Sequence, residues 1–586
     1  MKTILAAAAL ALLAALPAAA AVKNPDTFVY ATIGDPESFD PAWAYDTGSQ
    51  LVIANVYEYL VTFPGAGVKP QDLRPMLATK VPTQANGLLS KDGLTYRFPI
   101  RKGVKFQDGS PLTPDDVRYS LLRFMLLDRD GGPSSLLLQP ILGVGSTRKD
   151  GKIIPGLGER AFRAVTVDGD EVVVRLRRPF APFLTILPQF GAIMSRRWCA
   201  AHGQWDGAPE TWEKFNNPHL ENTLPKTLMN GTGPFALERF EPTSKEVVLR
   251  RFDGYWRKPA ALKTVVIKIV DEFETRKLMI QAGDADAIYV PQMYKPQVQN
   301  IPGVMIIDGL QDLERSLLIN FAFHINPVAN PYIGSGRLDG EGVPPDFFAD
   351  KDVRKAFAYA VDYNGYIQGI LRGTGTQSAG IIPPGLIGYK AGPPRYHFDL
   401  AKSAEHFKKA WGGKLWNQGF KLTLVFNSGS APAQALCQML KRNIESLSPK
   451  FRVDIRVVQW STYLELSTQR KIPLLLGAWQ ADYPDPHNFV FPLLDSAGYF
   501  PTQQGYSNPR LDKLIDEAAA TLSTPRRAEL YKKIQDIVDD DLPCLPLADG
   551  PRYRVQRTWV KGYKFSPIFP DAPYGSYFYQ LSKSGN

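Results

Sequence analysis

DGLTYRFPIRKGVKFQDGSPLTPDDVRYSL, residues 92–121, puts a strand, two turns and a helix start into one run. Leu94, Tyr96, Phe98 and Ile100 alternate with Thr95, Arg97 and Pro99, the period of a strand with one buried face. Gly103 and the Asp108-Gly109 pair supply turns where a positive φ carries no Cβ penalty. Thr113-Pro114-Asp115-Asp116 then reads as an N-cap, a proline at the first helical position and two carboxylates at the positive end of a helix dipole. Val117, Leu121 and Phe124 form the stripe such a helix buries. Nothing in the run is arranged for bond-making, so it suits a receptor better than a catalyst.

Working outward, 586 residues are enough for two to four domain-sized units, and 44% hydrophobic with 11% aromatic residues can fill several cores. The formal charge of +10 is dispersed. Basic residues cluster only as pairs such as Arg177-Arg178, Arg196-Arg197, Arg250-Arg251 and Arg526-Arg527. A nucleic-acid groove needs a basic stripe interleaved with stacking aromatics, so no nucleic-acid partner is expected. Residues 1–21 read as a cleaved signal peptide: Lys2, an apolar run from Ile4 to Leu16, and a small-residue end after Pro17. No cysteine stands near the cleavage point, which argues against a lipid anchor. The address implied is the periplasm. Cys199, Cys437 and Cys544 are too scattered for a zinc site; they allow one bridge and leave at least one thiol free, and buried unpaired thiols are expected.

Further along, Phe28–Pro41 reads as strand then turn, and Glu171–Arg177 as a second alternating strand. Asp350 stands as the N-cap of a helix whose stripe is Val353, Phe357, Ala360 and Val361. Residues 324–345 are turn-rich and read as a surface loop. Phe420–Asn427, Phe451–Val458 and Ile472–Trp479 are strand-like runs separated by helical patterns, which predicts a parallel β-α-β-α-β unit. Ligands of open parallel sheets sit beyond the carboxyl ends of the strands. Gln480, Ala481, Asp482 and Tyr483 occupy that place after the third strand. Asn508-Pro509 and Thr524-Pro525 read as cap-plus-proline starts of two C-terminal helices.

Catalysis finds no support. The six histidines, at 202, 219, 324, 397, 406 and 487, include no pair four residues apart, so no HExxH helix exists. No G-x-S-x-G elbow and no dinucleotide fingerprint occur, and Gly145–Lys152 has the wrong spacing for a phosphate loop. No cofactor and no metal are expected.

The 92–121 run, FVYATIGDPESFDP from Phe28, MNGTGPFALERFEP from Met229, the FFADKDVRKAFAYAVD block and WQADYPDP from Trp479 recur in an order that resembles the family 5 solute-binding proteins, the peptide-binding receptors of bacterial ABC transporters. The resemblance runs from about residue 28 to 579. It implies an α/β, periplasmic-binding-protein-like fold of two lobes joined by a hinge, with an extra strand-rich α+β subdomain in the first lobe. The boundaries expected are 22–49 plus 180–311 plus 552–586 for the first lobe, 50–179 for the subdomain and 312–551 for the second lobe. The hinge is expected near Asp308–Arg315.

The same resemblance implies a monomer that captures an oligopeptide or peptide-like solute between its lobes and hands it to ABC permease subunits at the inner membrane. The rival within the class is the same role for a non-peptide solute, such as a metal chelate or an oligosaccharide. Asp482 matches the aspartate that pairs with a ligand's α-ammonium; the residues alone equally allow it to cap the turn with Pro484 and Asp485. Trp479 is read as a pocket wall or as core. Asp35 matches an acidic residue near the family's site, and Thr32–Ser38 is expected to wall the cleft with Trp479–Tyr483. Some relatives carry an arginine on the strand before the tryptophan; here Leu474-Leu475-Leu476 stand there, which leaves Arg470 or Lys471 as substitutes for a carboxylate anchor.

Overall fold

The computed structural model describes residues 22–311, 313–428, 430–569 and 575–585. The segment read as a signal peptide, 1–21, lies outside the described residues. Two sheets organise the rest. A seven-stranded sheet runs in the order Val304–Leu310, Arg552–Arg557, Ala287–Ile288, Thr27–Thr32, Thr264–Ile269, Glu246–Arg251, Phe235–Glu241. Thr27–Thr32 lies at its centre, parallel to Thr264–Ile269 and to Ala287–Ile288. Phe28, Tyr30 and Ala31 are all buried, as a strand covered on both faces requires. The second sheet holds Leu474–Gln480, Glu314–Phe321 and Cys544–Pro546, all antiparallel.

Two chain crossings join the sheets. The chain leaves the first sheet after Leu310 and enters the second at Glu314; it returns between Asp549 and Arg552. The Arg552 guanidinium pairs with the Glu314 carboxylate where the crossings run side by side. Beside the first sheet, Thr95–Pro99 pairs antiparallel with Glu171–Arg175, which also pairs with Val165–Asp168. Tyr96 and Phe98 are buried there, as the alternation predicts. The helix Pro114–Leu127 starts on a full capping box: the Thr113 hydroxyl accepts from the Asp116 N–H (3.2 Å), and the Asp116 carboxylate accepts from the Thr113 N–H (2.9 Å). Asp350 caps its helix through the N–H groups of Asp352 and Val353.

The predicted parallel β-α-β-α-β unit is half present. Phe420–Asn427 and Phe451–Val458 are parallel and in register over their full length. The third strand instead hydrogen-bonds antiparallel to Glu314–Phe321, more than 150 residues upstream. Residues 324–345 lie against the free flank of the parallel pair. The Lys421 N–H donates to the Gly342 carbonyl, and Ile333 and Val343 are buried.

Residues before the first crossing and residues after it touch directly: the Ala181 N–H donates to the Ala519 carbonyl (2.8 Å), Arg178 pairs with Asp516 (2.6 Å), and the Leu522 side chain lies against Gly93. One apolar cluster joins Phe28, Tyr96 and Phe183 to Phe489, Ile515 and Tyr531, while a second fills the far lobe around Phe347, Phe357 and Phe420. Cys199, Cys437 and Cys544 are buried, and among the described residues they form no disulfide. Among the described residues, no helix is long and apolar enough to cross a membrane.

Candidate ligand-binding site

Asp482 follows the strand Leu474–Gln480, which the ladder extends by one bond from the Ala481 N–H to the Leu313 carbonyl (3.1 Å). Two prolines then turn the chain. Asp485, not Asp482, closes the turn into the next helix: its carboxylate accepts from the His487 N–H (2.9 Å). Arg527 clamps Asp485 with two bonds of 2.9 and 2.7 Å, both side chains buried. Asp482 is thereby left free of the turn. Of the two roles the residues allowed, the capping role falls to its neighbour.

Asn488, in the first turn of the helix His487–Leu494, reaches back and holds the site. Its Oδ1 accepts from the Asp482 N–H (2.8 Å) and from Trp479 Nε1 (3.3 Å), and its Nδ2 donates to Asp482 Oδ2 (3.2 Å). From the other lobe, the Tyr45 hydroxyl donates to both carboxylate oxygens, at 3.1 and 3.0 Å. Tyr45 is 37% exposed and meets Phe190 edge-on at 6.0 Å. Gln189 holds the Asp482 main chain: oriented toward its two acceptors, its amide nitrogen donates to the Asp482 carbonyl (3.1 Å) and to the Ile568 carbonyl (2.8 Å).

Every donor to the Asp482 carboxylate is neutral, and no lysine, arginine or histidine among the described residues forms an ion pair with it. Desolvation pushes its pKa up to about 6, against the bonds from Asn488 and Tyr45.

The other expected site residues separate. Trp479 is half-buried, tilted toward Tyr499 (6.1 Å between ring centres) and edge-on to Phe500 (6.4 Å); it borders the site and also packs the lobe. Gln480 is half-buried at the strand end, in register with Glu314. Ala481 and Tyr483 do not line the cleft: both are 3% exposed, and the Tyr483 hydroxyl meets His487 Nδ1 at 2.8 Å inside the core. The period-2 alternation continues past the last strand residue, with Ala481 and Tyr483 on the buried face and Gln480 and Asp482 on the other. Asp35 lies on the first lobe's surface, paired with Lys245 (3.4 Å) and outside hydrogen-bond reach of Asp482. Arg470 stands at the opposite end of the strand, roughly 20 Å away at about 3.3 Å per residue, with its Nε donating to the Thr502 carbonyl (2.8 Å). It does not join the site, and neither does its neighbour Lys471. Tyr45, Asn488 and Gln189 are the residues that sequence reasoning missed. Asn488 alone left a trace, as an amide in the first turn after a proline.

The fold is that of a two-lobed solute-binding protein. The chain belongs to the bacterial extracellular solute-binding proteins, family 5 Middle, which it matches over residues 72–501. It is 28% identical to the dipeptide-binding protein of Escherichia coli (strain K12), covering 95% of each chain. It is 27% identical to heme-binding protein A of Haemophilus influenzae, over 94% of this chain and 92% of that one. A solved structure of the periplasmic binding protein DppA from Helicobacter pylori, in complex with the peptide STSA, shares the fold with a TM-score of 0.70 at 23% identity, over 95% of this chain and 98% of the other.

Proposed function

We propose that this chain is the periplasmic receptor of an ABC importer, and that it captures short peptides or peptide-like amines between its lobes for delivery to a permease. The observation that carries the reading is Asp482: a carboxylate oriented by Asn488 and Tyr45 and, among the described residues, without a cation of its own. A ligand ammonium supplies that charge, in a setting where water is scarce and a charge-assisted bond gains strength. Because the groups that meet it come from both lobes, the closed state binds the ligand better than the open one, which is what closure on a ligand requires.

Support also comes from the relatives, which include a dipeptide-binding protein and a glutathione-binding protein. The second reading, a non-peptide solute, is favoured by the absence of an arginine on the strand before Trp479 and by the heme-binding relative. The deciding experiment compares Asp482→Asn with the unaltered protein against tri-alanine and its N-acetyl form. The reading expects the substitution to weaken the free amine at least tenfold and to leave the acetylated peptide unchanged. Equal losses for both would remove Asp482 from the anchoring role.

A further inference from the structure

A cavity of about 110 Å³ opens in the first lobe on the far side of the Gln189 side chain. Tyr59, Met76, Gln189, Arg257, Lys564 and Ser576 are among its lining residues. Gln189 is the partition: the amide that lines the cavity is the one that donates to the Asp482 carbonyl. The cavity therefore begins one side chain away from the main chain of Asp482, whose carboxylate is the proposed amine site.

Its charge is unbalanced. Neither the half-buried Arg257 nor the exposed Lys564 forms a salt bridge or a side-chain hydrogen bond among the described residues. Arg257 lies over one part of the Trp256 ring at 4.3 Å and Arg101 packs on the same indole at 4.6 Å, which brings a third cation close. Among the described residues, the buried carboxylate nearby, Glu58, is engaged by three neutral donors: Trp256 Nε1 (2.7 Å), the Tyr255 hydroxyl (2.7 Å) and the Thr232 hydroxyl (2.9 Å). It lies beyond ion-pair distance of Arg257, whose charge acts on it from further away. Among the lining residues, the hydroxyls Tyr59 Oη and Ser576 Oγ are buried and have no hydrogen-bond partner among the described residues. Buried polar atoms left in that state are uncommon and are best accounted for by a missing partner.

We propose that this cavity is an anion subsite that takes the carboxylate of the ligand whose amine sits on Asp482, with Arg257 and Lys564 as its cationic groups. The inference rests on the amine-anchoring reading given above and narrows it to ligands that are both amine and acid. It supplies the anchor that Arg470 does not. A cavity of this size holds a carboxylate with one short stem, not an extended chain. At about 3.3–3.6 Å per extended residue, a separation of one side chain corresponds to a ligand of two or three residues. The carboxylate belongs either to the C-terminus or to an acidic side chain at the second or third position.

The test uses calorimetric titration of the full mature chain with tri-alanine, tri-alanine amide, N-acetyl tri-alanine and Ala-Glu-Ala amide. Tri-alanine is expected to bind at least tenfold tighter than its amide. Arg257→Gln with Lys564→Gln is expected to erase that difference while the penalty for N-acetylation persists. The exposed Lys564→Gln alone is expected to reduce the difference severalfold, which keeps the test decisive where the double variant folds poorly. Recovery of affinity by Ala-Glu-Ala amide assigns the subsite to a side-chain carboxylate, and its failure to recover assigns it to the C-terminus; both support an anion subsite. Equal binding of tri-alanine and its amide to the unaltered protein, with no gain from the glutamate peptide, overturns the inference while leaving the amine anchor intact. Loss of discrimination against the acetylated peptide alone sinks the amine anchor instead, and no binding of any probe removes both.

Discussion

The Tyr45 hydroxyl reaches across the cleft and donates to both oxygens of Asp482, residues 437 positions apart in the chain. It occupies part of the carboxylate that a ligand ammonium would claim and ties the lobes together at the same point. Hydrogen bonds to charged groups contribute about 1.5–3 kcal/mol, less where solvent competes as it does at this partly exposed tyrosine. Tyr45→Phe is therefore expected to shift the ligand-free protein toward the open state by roughly tenfold in population. Small-angle scattering would read this as an increased radius of gyration without ligand and an unchanged one with it. An identical ligand-free radius would mean that Tyr45 contributes nothing to closure.

Asp482 also sets a pH dependence. Its pKa, pushed up to about 6 by desolvation, means that the proton competes with a cationic ligand below that pH. A bound ammonium favours the ionised carboxylate, so binding releases a proton there. Affinity for tri-alanine is expected to rise up to tenfold per pH unit approaching pH 6 and to level off above it. It then declines near pH 8, where an α-amine loses its own proton. Titrations at pH 5, 6, 7 and 8 check the profile; affinity that does not change between pH 5 and 7 would place the amine elsewhere.

Local signals in the chain carry further than distant ones, with one miss: Ser523, not Thr524, is the N-cap of the helix Thr524–Asp541. Thr113 with Asp116, and Asp350 with its helix, are caps that three or four consecutive residues specify, and both form as expected. Asp482 stood out for its place after a strand. Its partners did not: Tyr45 and Gln189 come from the other lobe, and no periodicity links them to residue 482. The parallel-sheet expectation failed for the same reason. Alternating strands and helices show that Leu474–Gln480 is a strand, but its partner Glu314–Phe321 is chosen by apolar packing far along the chain. Arg470 is near Asp482 in sequence alone, and the seven extended residues of Leu474–Gln480 carry it away from the site.

That separation makes a sharp prediction. Arg470→Gln is expected to change the affinity for tri-alanine by less than twofold, since the guanidinium is bound to the Thr502 carbonyl at the far end of the strand. Asn488→Ala, which frees the Asp482 carboxylate and the Trp479 indole together, is expected to weaken binding of the free amine by about tenfold. The reverse order of effects, read by calorimetry, would return the anchor to Arg470.

His487 gives the last test, on stability. It is 3% exposed, between Phe180 of the first lobe, edge-on at 5.0 Å, and Tyr483 and Phe491 of its own. Burial drives its pKa down to about 4; Asp485 opposes the shift, while the Arg527 and Arg178 charges reinforce it. The unfolded chain then binds the proton first as pH falls from 6.5 toward 4, so this residue's contribution is complete above pH 6.5 and is lost on acidification. From pH 7 to pH 5 the loss comes to about 2 kcal/mol. Asp482 acts in the opposite sense, because its raised pKa favours the folded state as it gains a proton below pH 6. The comparison that isolates the histidine is therefore between the unaltered protein and His487→Gln. Urea midpoints at pH 7 and pH 5 should converge in the variant, and an undiminished acid loss in His487→Gln would assign the acid sensitivity to other groups.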